Sequence, residues 1–307
     1  NARHVYSILD YSVEGLENEV SFDETVSRTI NLIKLNTNNN FPFIVFKPTG
    51  IGRFDLYDKI SSNTNLSDKE NIEWSKVKFR YDAICNAALA NNVSVLIDAE
   101  ESWIQSSIDE IYENLILKYN SKKAIVYNTV QSYRIDRLEY IEKLYHSFST
   151  SDVHIGIKLV RGAYMEKERE RSKVFNYLDP IHKTKKDTDE SFNNCMTFMF
   201  KNVQLFSVFI GSHNEESNYL ALEFINKYNI IKDKVWFSQL YGMSDHITYN
   251  LSNQGYNVAK YLPFGPFKGV IPYLFRRAEE NTAVEGQTSR ELFLYAKEIK
   301  RRNHSKL

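Results

Sequence analysis

Two adjacent arginines near the C-terminus are the strongest candidates for chemistry in this sequence. They lie in the stretch YLPFGPFKGVIPYLFRRAEEN, residues 261–281, where an apolar strand and a turn rich in Pro and Gly precede a predicted helix. Arg276 and Glu280 share one helix face because they are four residues apart. Arg277 is rotated from Arg276 by about 100°, so the two guanidinium groups can bind one carboxylate or phosphate from two sides. A solvated charged face is the alternative interpretation.

Further polar side chains lie where predicted strands end. In parallel barrels the C-terminal ends of the strands meet at one face, which carries the active site. Cations outnumber carboxylates in this set, and such a composition suits a phosphate-bearing cofactor together with an anionic substrate. The residues are Lys47, Asp98, Gln131, Lys158, Arg161, His213, Gln239 and Tyr261.

The elements that must position these residues alternate along the chain. Strands are predicted at 4–10, 41–46, 93–97, 124–127, 154–160, 206–210, 235–239 and 258–262, and helices at 22–35, 72–91, 104–119, 134–148, 188–203, 216–228 and 247–253. The strands are continuously apolar, as expected when both faces of a sheet are covered. Eight such units predict an α/β fold, a (β/α)8 TIM-type barrel forming a single domain. A C-terminal helix would then carry the arginines.

Composition excludes several classes of function. The 307 residues contain 39 basic and 39 acidic side chains, so the net charge gives no case for nucleic-acid binding. Cys85 and Cys195 are far apart, which argues against a disulfide framework or a zinc site. No apolar run reaches the roughly 18 residues of a membrane span. The acidic residues lack metal-ligand spacing, so we predict no metal, and we expect Glu100 and Glu101 to cap the following helix.

Five motifs together resemble one enzyme family. The chain is similar to the catalytic barrel of stand-alone proline dehydrogenase, and the resemblance covers almost its whole length. It implies FAD-dependent oxidation of L-proline to 1-pyrroline-5-carboxylate, with hydride transfer from proline C5 to flavin N5 and electrons passed to a quinone. The motifs, in the family's order, are LIDAEE (96–101), KLVRGAYM (158–165), SHNEES (212–217), QLYGMSDH (239–246) and the stretch 261–281.

The resemblance also assigns residues to the substrate. Arg276 and Arg277 would bind the proline carboxylate, with Lys47 as a third cation. Asp98 would lie near the ring nitrogen and Tyr261 against the ring, so that Asp98, Tyr261 and the two arginines form the catalytic set. The remaining substrate contacts would be Tyr164, Tyr273 and Glu280, and Glu14 could pair with Arg276 as a gate.

A second set of residues is implied for the cofactor. The flavin or its phosphates would contact Gln131, Lys158, Arg161, Gly162, Ala163 and Tyr164, and the adenosine side would be held by His213 and Asn214, with Gln239 and Tyr241 nearby. The family often has Arg at the position of Lys158 and Lys at that of Arg161. The charge is retained, but Lys158 cannot form a bidentate contact.

The same resemblance predicts partners and location. Residues 1–307 would form the barrel, with N-terminal helices of the family missing from this chain. A separate pyrroline-5-carboxylate dehydrogenase would act downstream, because the chain has no room for the second module of the bifunctional bacterial form. A bacterial protein would be cytoplasmic with peripheral membrane contact, whereas a eukaryotic one would belong to the mitochondrial matrix or inner membrane.

Three alternatives remain open from the sequence. A hydroxyproline dehydrogenase of the same family would differ mainly at the residue that packs on the substrate ring, and Tyr261 favours proline there. An aldolase-type lyase would use Lys158 for a Schiff base. A non-catalytic barrel would bind neither cofactor nor substrate.

Overall fold

Eight parallel strands pair in chain order and close on themselves, since β8 pairs with β1. The computed structural model describes residues 4–11, 14–36, 41–265, 270–271, 274–275 and 287–304. The strands are β1 (Val5–Tyr11), β2 (Phe43–Phe46), β3 (Ser94–Ile97), β4 (Val126–Gln131), β5 (Ile155–Val160), β6 (Phe206–Gly211), β7 (Val235–Leu240) and β8 (Asn257–Phe264). The predicted (β/α)8 barrel is therefore confirmed.

Ten α-helices have both of their ends within the described residues. They are α1 (Glu19–Lys34), α2 (Phe54–Ser61), α3 (Asp68–Ala90), α4 (Ser102–Tyr119), α5 (Arg137–Phe148), α6 (Met165–Phe175), α7 (Lys185–Lys201), α8 (Glu215–Lys227), α9 (Asp245–Asn253) and α10 (Gln287–His304). The first nine belong to a unit spanning Asn1–Phe264, and α10 belongs to a second unit, Gly265–Leu307. None of the helices in the described ranges is long and apolar enough to cross a membrane.

The barrel interior is filled by large side chains at the end opposite the predicted site. The ring of Phe43 makes edge-on contacts with Tyr127, Phe209 and Trp236, with ring centroids 5.5, 5.1 and 5.0 Å apart. These rings belong to an interior cluster that also includes Ile8. These rings fill the barrel interior near the N-terminal ends of the strands, and in such barrels chemistry takes place at the opposite mouth, where the strands end.

Two helices were missed in the sequence analysis because their buried residues do not form an apolar stripe with helical spacing. Helix α2 has eight residues, with only Leu56 and Tyr57 buried. Helix α6 lies within the segment that reads as a charged connection, and its buried residues are Glu168 and Ser172. Helix α3 begins at Asp68, earlier than predicted, because Ser67 and Glu70 form a capping box.

Four of the predicted substrate residues cannot be placed. Tyr273, Arg276, Arg277 and Glu280 lie outside the described residues. The helix predicted to carry the arginines therefore stays a prediction. The predicted site residues that can be located belong to the first unit, Asn1–Phe264.

Candidate active site

Asp98 is the centre of a buried charged cluster at the mouth of the barrel. It directly follows β3, and its Oδ1 accepts a hydrogen bond from Lys158 Nζ of β5. Tyr261 of β8 donates its hydroxyl to both carboxylate oxygens, at 3.0 and 3.2 Å. Lys47, directly after β2, donates to Asp98 Oδ2 at 3.3 Å. Four strand ends far apart in sequence thus deliver one polar group each to the same point.

The charged groups of this cluster are buried, so each needs a partner of opposite charge or a hydrogen bond. Lys47, Asp98, Lys158 and Tyr261 are all 6–7% exposed. Burial alone would raise the pKa of Asp98, but the charges of Lys158 and Lys47 and the hydrogen bonds from Lys158 and Tyr261 outweigh it and lower the pKa. Asp98 is therefore an ionised hydrogen-bond acceptor at neutral pH, not a proton donor.

Lys47 joins the cluster to the loop that follows β1. Its Nζ lies 3.8 Å from Glu14 Oε2, and Tyr164 donates its hydroxyl to the same carboxylate at 3.4 Å. Burial would lower the pKa of Lys47, but Tyr164, Asp98, Asp10 and Glu14 together hold it well above its ordinary value. A buried ammonium with two acidic neighbours is a site where a substrate anion can replace one of them.

Glu100 connects the loops around this centre. Its carboxylate accepts hydrogen bonds from the amide of Thr49 at 2.9 Å and from the Thr49 hydroxyl at 2.6 Å. Thr49 Oγ1 in turn accepts from the amide of Gly15 at 2.9 Å, and Gln131 Nε2 donates to the Glu100 carbonyl at 2.7 Å. The expectation that Glu100 and Glu101 cap α4 is wrong: Glu100 bonds Thr49, and Glu101 is the N-cap residue but makes no side-chain capping bond.

The buried Glu100 carboxyl predicts a pH-dependent stability. Burial raises its pKa from 4.5 to about 7, against the opposing effects of Lys47 and Thr49. The folded state therefore holds the proton more tightly than the unfolded chain, so this contribution is fully present below pH 4.5 and is lost as the pH rises to about 7. We expect the free energy of unfolding to lose about 3 kcal/mol from this group across that window.

The Glu100→Gln variant isolates this effect because it cannot titrate. We expect the stability of Glu100→Gln relative to the unmodified protein to increase by about 3 kcal/mol between pH 5 and pH 8 in urea unfolding. An unchanged difference between the two proteins at the two pH values would contradict the assignment.

The loop after β5 passes close to an aromatic ring. Gly162 has φ of +135°, and a Cβ placed there would lie 2.4 Å from the ring of Tyr133. The amide of Ala163 donates to Gln131 Oε1 at 3.3 Å, so both ends of the buried Gln131 side chain hold neighbouring loops. Glycine is required here by the backbone conformation and by the lack of space.

Arg161 is clamped by the protein itself. Its Nε donates to Asp189 Oδ1 at 2.6 Å, and its two terminal nitrogens donate to Ser212 Oγ at 2.7 Å and Ser217 Oγ at 3.0 Å. The guanidinium carbon lies 4.5 Å from the ring centre of Phe192. Burial lowers the pKa of Arg161, although Asp189 opposes this. The result is a cation fixed beside the N-terminus of α8, where backbone amides favour an anion.

The residues predicted for the adenosine side are mostly occupied by structural bonds. His213 contacts Ser244 Oγ through Nδ1 at 3.0 Å and accepts the Leu240 amide at Nε2 at 3.4 Å, so both ring nitrogens are engaged within the protein. Asn214 caps α8 by accepting the amide of Ser217. Gln239 is buried, bonded to the Ser212 carbonyl and to the Thr248 hydroxyl.

The structure thus brings the predicted residues into two groups. The first surrounds Asp98, and the second surrounds Arg161 and the start of α8. Tyr241 lies on the loop after β7, where its side chain is exposed and its amide donates to the Tyr261 carbonyl at 3.0 Å. Gln239 bonds into the second group through the Ser212 carbonyl.

Several residues of the site were missed in the sequence. Ser212 and Ser217 lie in the quoted motif SHNEES, and their spacing around the α8 N-cap could have indicated a cluster. Lys260 donates to the carbonyls of Leu240 and Met243 and pairs with Asp245 at 2.8 Å, which fixes the loop after β7. A lysine inside an apolar strand was the available signal.

A closed parallel barrel with a buried charged centre at its mouth defines a (β/α)8-barrel enzyme. The sequence model described as proline dehydrogenase matches residues 1–290. The chain belongs to the proline dehydrogenase family.

Two relatives and one solved structure show how far the similarity extends. The carbapenem antibiotics biosynthesis protein CarD of Pectobacterium carotovorum subsp. carotovorum is 34% identical, covering 96% of this chain and 77% of its own. Proline dehydrogenase 2, mitochondrial, of Arabidopsis thaliana is 36% identical, and the match covers 86% of this chain and 56% of the relative. Proline utilization A from Bdellovibrio bacteriovorus, solved after inactivation by N-propargylglycine, has a TM-score of 0.81 at 19% identity. The match covers 92% of this chain and 31% of that chain. This last likeness bears on the fold alone.

Proposed function

We propose that this chain oxidises L-proline to 1-pyrroline-5-carboxylate with bound FAD. The observation that carries the proposal is the buried cluster of Asp98, Lys47, Lys158 and Tyr261 at the mouth of a barrel of the proline dehydrogenase family. The chain spans about half the length of the Arabidopsis relative, so the activity of the whole protein is part of the proposal.

The donor set of the mouth fits FAD. Arg161 and Ser212 lie at the N-terminus of the thirteen-residue helix α8, and this combination suits a diphosphate. Gly162, which has no side chain, lets the loop after β5 pass directly against the ring of Tyr133, and this contact fixes the loop whose amides would face the cofactor. Lys158, Gln131 and the amides of the loop after β5 would hold the ring system, and the rest would lie against His213 and Tyr241. Bound FAD would supply the acceptor for the hydride from the carbon beside the substrate nitrogen.

Lys47 anchors the substrate carboxylate in this proposal. Its pKa, held well above the ordinary value, keeps the ammonium charged, and Glu14 is its weaker partner at 3.8 Å. A proline carboxylate arriving beside Lys47 would replace Glu14, and Arg276 and Arg277 would complete the clamp as the resemblance implies.

Asp98 orients the substrate nitrogen. Its lowered pKa leaves the carboxylate ionised, so it can accept a hydrogen bond from the ring N–H but is a weak base. Proline would therefore bind as the free amine, and the protein would supply position and charge, not strong base catalysis. Lys158 and Tyr261 hold the carboxylate oxygens in place for this contact.

Tyr261 determines the choice between proline and hydroxyproline in this proposal. Its ring, fixed through the hydroxyl to Asp98 and Lys158, would pack over the substrate carbons and crowd a 4-hydroxyl group. We expect Tyr261→Ser to raise the ratio of kcat/KM for hydroxyproline over proline by about tenfold, a factor typical of one steric contact.

The Tyr261→Phe variant is the matched control, because it removes the hydroxyl and keeps the ring. We expect it to lower both activities without changing their ratio, measured in parallel assays with an artificial electron acceptor. An unchanged ratio in Tyr261→Ser would refute the steric account.

The visible spectrum of the purified protein tests the proposal directly. Bound flavin gives absorption bands that bleach when L-proline is added anaerobically. A Schiff-base lyase would instead be colourless and would be trapped on Lys158 by borohydride with its substrate; against that reading, Lys158 Nζ is already committed to Asp98 and Tyr261. A colourless protein with no turnover would support a binding scaffold.

The electrons are proposed to pass to a membrane quinone through a peripheral contact. The product imine would be consumed by a separate pyrroline-5-carboxylate dehydrogenase. Reduction of a soluble quinone analogue by the proline-loaded protein tests the first step.

A further inference from the structure

Helix α6 is held on the barrel without an apolar anchor. Its three apolar side chains, Met165, Val174 and Phe175, are all exposed, and its buried residues are Glu168 and Ser172. Hydrophobic packing positions most helices in proteins. This helix must be positioned by polar contacts instead.

Glu168 makes the most buried of those contacts. Its side chain is completely buried, and its two carboxylate oxygens accept hydrogen bonds from the amide and the hydroxyl of Ser102, both at 2.6 Å. Ser102 is the first residue of α4, whose own N-cap residue, Glu101, leaves its side chain out of the cap. Glu168 therefore supplies the acidic cap of α4 from the first turns of another helix.

Two neighbouring contacts join the same pair of helix starts. Lys167 Nζ pairs with Glu101 Oε1 at 2.8 Å, and the guanidinium carbon of Arg171 lies 4.5 Å from the ring centre of Trp103. Lys167 is largely exposed, and exposed ion pairs contribute little. Arg169 also donates to the His182 carbonyl at 3.1 Å, and Arg171 pairs with Asp58 at 3.4 Å. Among these polar contacts of α6, the bonds between Glu168 and Ser102 are made by the most buried side chain.

The backbone carries this constraint to the active site. Tyr164 is the N-cap residue of α6, and its carbonyl accepts the amide of Glu168 at 3.0 Å. The buried Tyr164 side chain reaches Glu14, the partner of Lys47. Glu168 thus lies one helical turn beyond the loop formed by residues 161–164, which carries the predicted cofactor and substrate contacts.

We propose that Glu168 is a positioning residue for the active site, which caps α4 from α6 and thereby fixes the loop 161–164 and the Tyr164 side chain at the barrel mouth. The inference rests on the proposed function for its kinetic part. Burial raises the pKa of Glu168, and the hydrogen bonds from Ser102 and the charge of Arg134 offset this only in part.

Hydrogen exchange on the flavin-loaded protein tests the positioning without any turnover. Glu168→Ala removes both bonds, and we expect faster exchange in the peptides covering residues 101–105 and 161–168. Ser102→Ala removes only the hydroxyl bond and should give a smaller change in the same peptides. Glu170→Gln, an exposed change on the same helix, is the matched control and should leave the exchange unchanged.

Kinetics separate positioning from a merely structural role. We expect Glu168→Ala to raise KM for proline by about tenfold, because the Tyr164 side chain would lose its fixed position beside Glu14, with a smaller loss in kcat. Glu168→Gln can still accept the Ser102 amide and should recover most of the loss.

Three outcomes would overturn the inference. One is unchanged exchange at residues 161–168 in both Glu168→Ala and Ser102→Ala. Another is a KM equal to that of Glu170→Gln. The third is a loss of kcat alone that follows the loss of folded protein. If the unmodified protein bleaches no flavin with proline, the proposed function has failed, and the exchange data alone decide whether Glu168 fixes the loop.

Discussion

Replacing Asp98 by alanine is expected to destabilise the protein and to abolish proline oxidation. The change leaves Lys47 and Lys158 buried without the carboxylate that they share, at 3.3 Å in the case of Lys47. Removing one partner of a buried ion pair costs about 3–5 kcal/mol because the remaining charge is uncompensated. Urea unfolding of Asp98→Ala should show a loss of that size, and flavin reduction by proline should fall by at least about a hundredfold.

Two variants separate the structural and chemical parts of this effect. Asp109 has the same 7% exposure and also pairs with a buried arginine, Arg137 at 3.0 Å, but it lies on α4 away from the mouth. Asp109→Ala should also lose stability, but less than Asp98→Ala because Arg137 keeps its pair with Asp136, while its folded fraction still binds flavin and oxidises proline. In Asp98→Ala, an additional Lys47→Met change should restore part of the stability, because it removes one of the two buried lysines that have lost the Asp98 carboxylate.

Asp98→Asn addresses the chemistry more closely. Asparagine keeps the shape and can still accept the Tyr261 hydroxyl, but it lacks the charge next to the substrate nitrogen. We expect much slower flavin reduction than in the unmodified protein, measured by stopped-flow absorbance. Unchanged flavin reduction in this variant would remove Asp98 from the chemistry, whatever its contribution to stability.

The Asp98 cluster could be predicted from the sequence because closure of the barrel brings the ends of distant strands together. Asp98 and Tyr261 are 163 residues apart, and Lys47 and Lys158 are also distant from them in sequence, yet each of the four lies at or near the end of an apolar strand. Once eight such strands alternate with helices, their carboxyl ends must meet. No contact between these residues had to be known beforehand.

Bonding partners could not be predicted in the same way. An acidic pair before a helix normally indicates a cap, but Glu100 turns to the amide of Thr49 and the cap of α4 comes from Glu168, 66 residues away. Arg161 is a second case: its type and position predict a phosphate contact, but not that its nitrogens also donate to Asp189, Ser212 and Ser217. Such choices depend on which side chains face each other after folding, and a strand pattern does not contain that information.

Gly162→Ala is expected to have the second largest effect. Alanine at φ of +135° is strained by about 1–3 kcal/mol, and its Cβ would lie 2.4 Å from the Tyr133 ring, which adds an overpacking cost of about 1–3 kcal/mol. The amide of Tyr133 donates to the Arg161 carbonyl at 2.7 Å, so the ring cannot withdraw without moving the loop. We expect urea unfolding to show a loss of about 2–6 kcal/mol, together with weakened flavin binding.

Gly242→Ala is the matched control for backbone strain without a clash. Gly242 has φ of +78°, and a Cβ there would meet nothing within 4 Å. Gly242→Ala should therefore lose only the stability that backbone strain costs. Its flavin content should stay near that of the unmodified protein. Adding Tyr133→Ala to Gly162→Ala opens the missing space and should recover flavin binding in part. Equal effects of Gly162→Ala and Gly242→Ala would show that the close approach of Tyr133 does not shape the loop after β5.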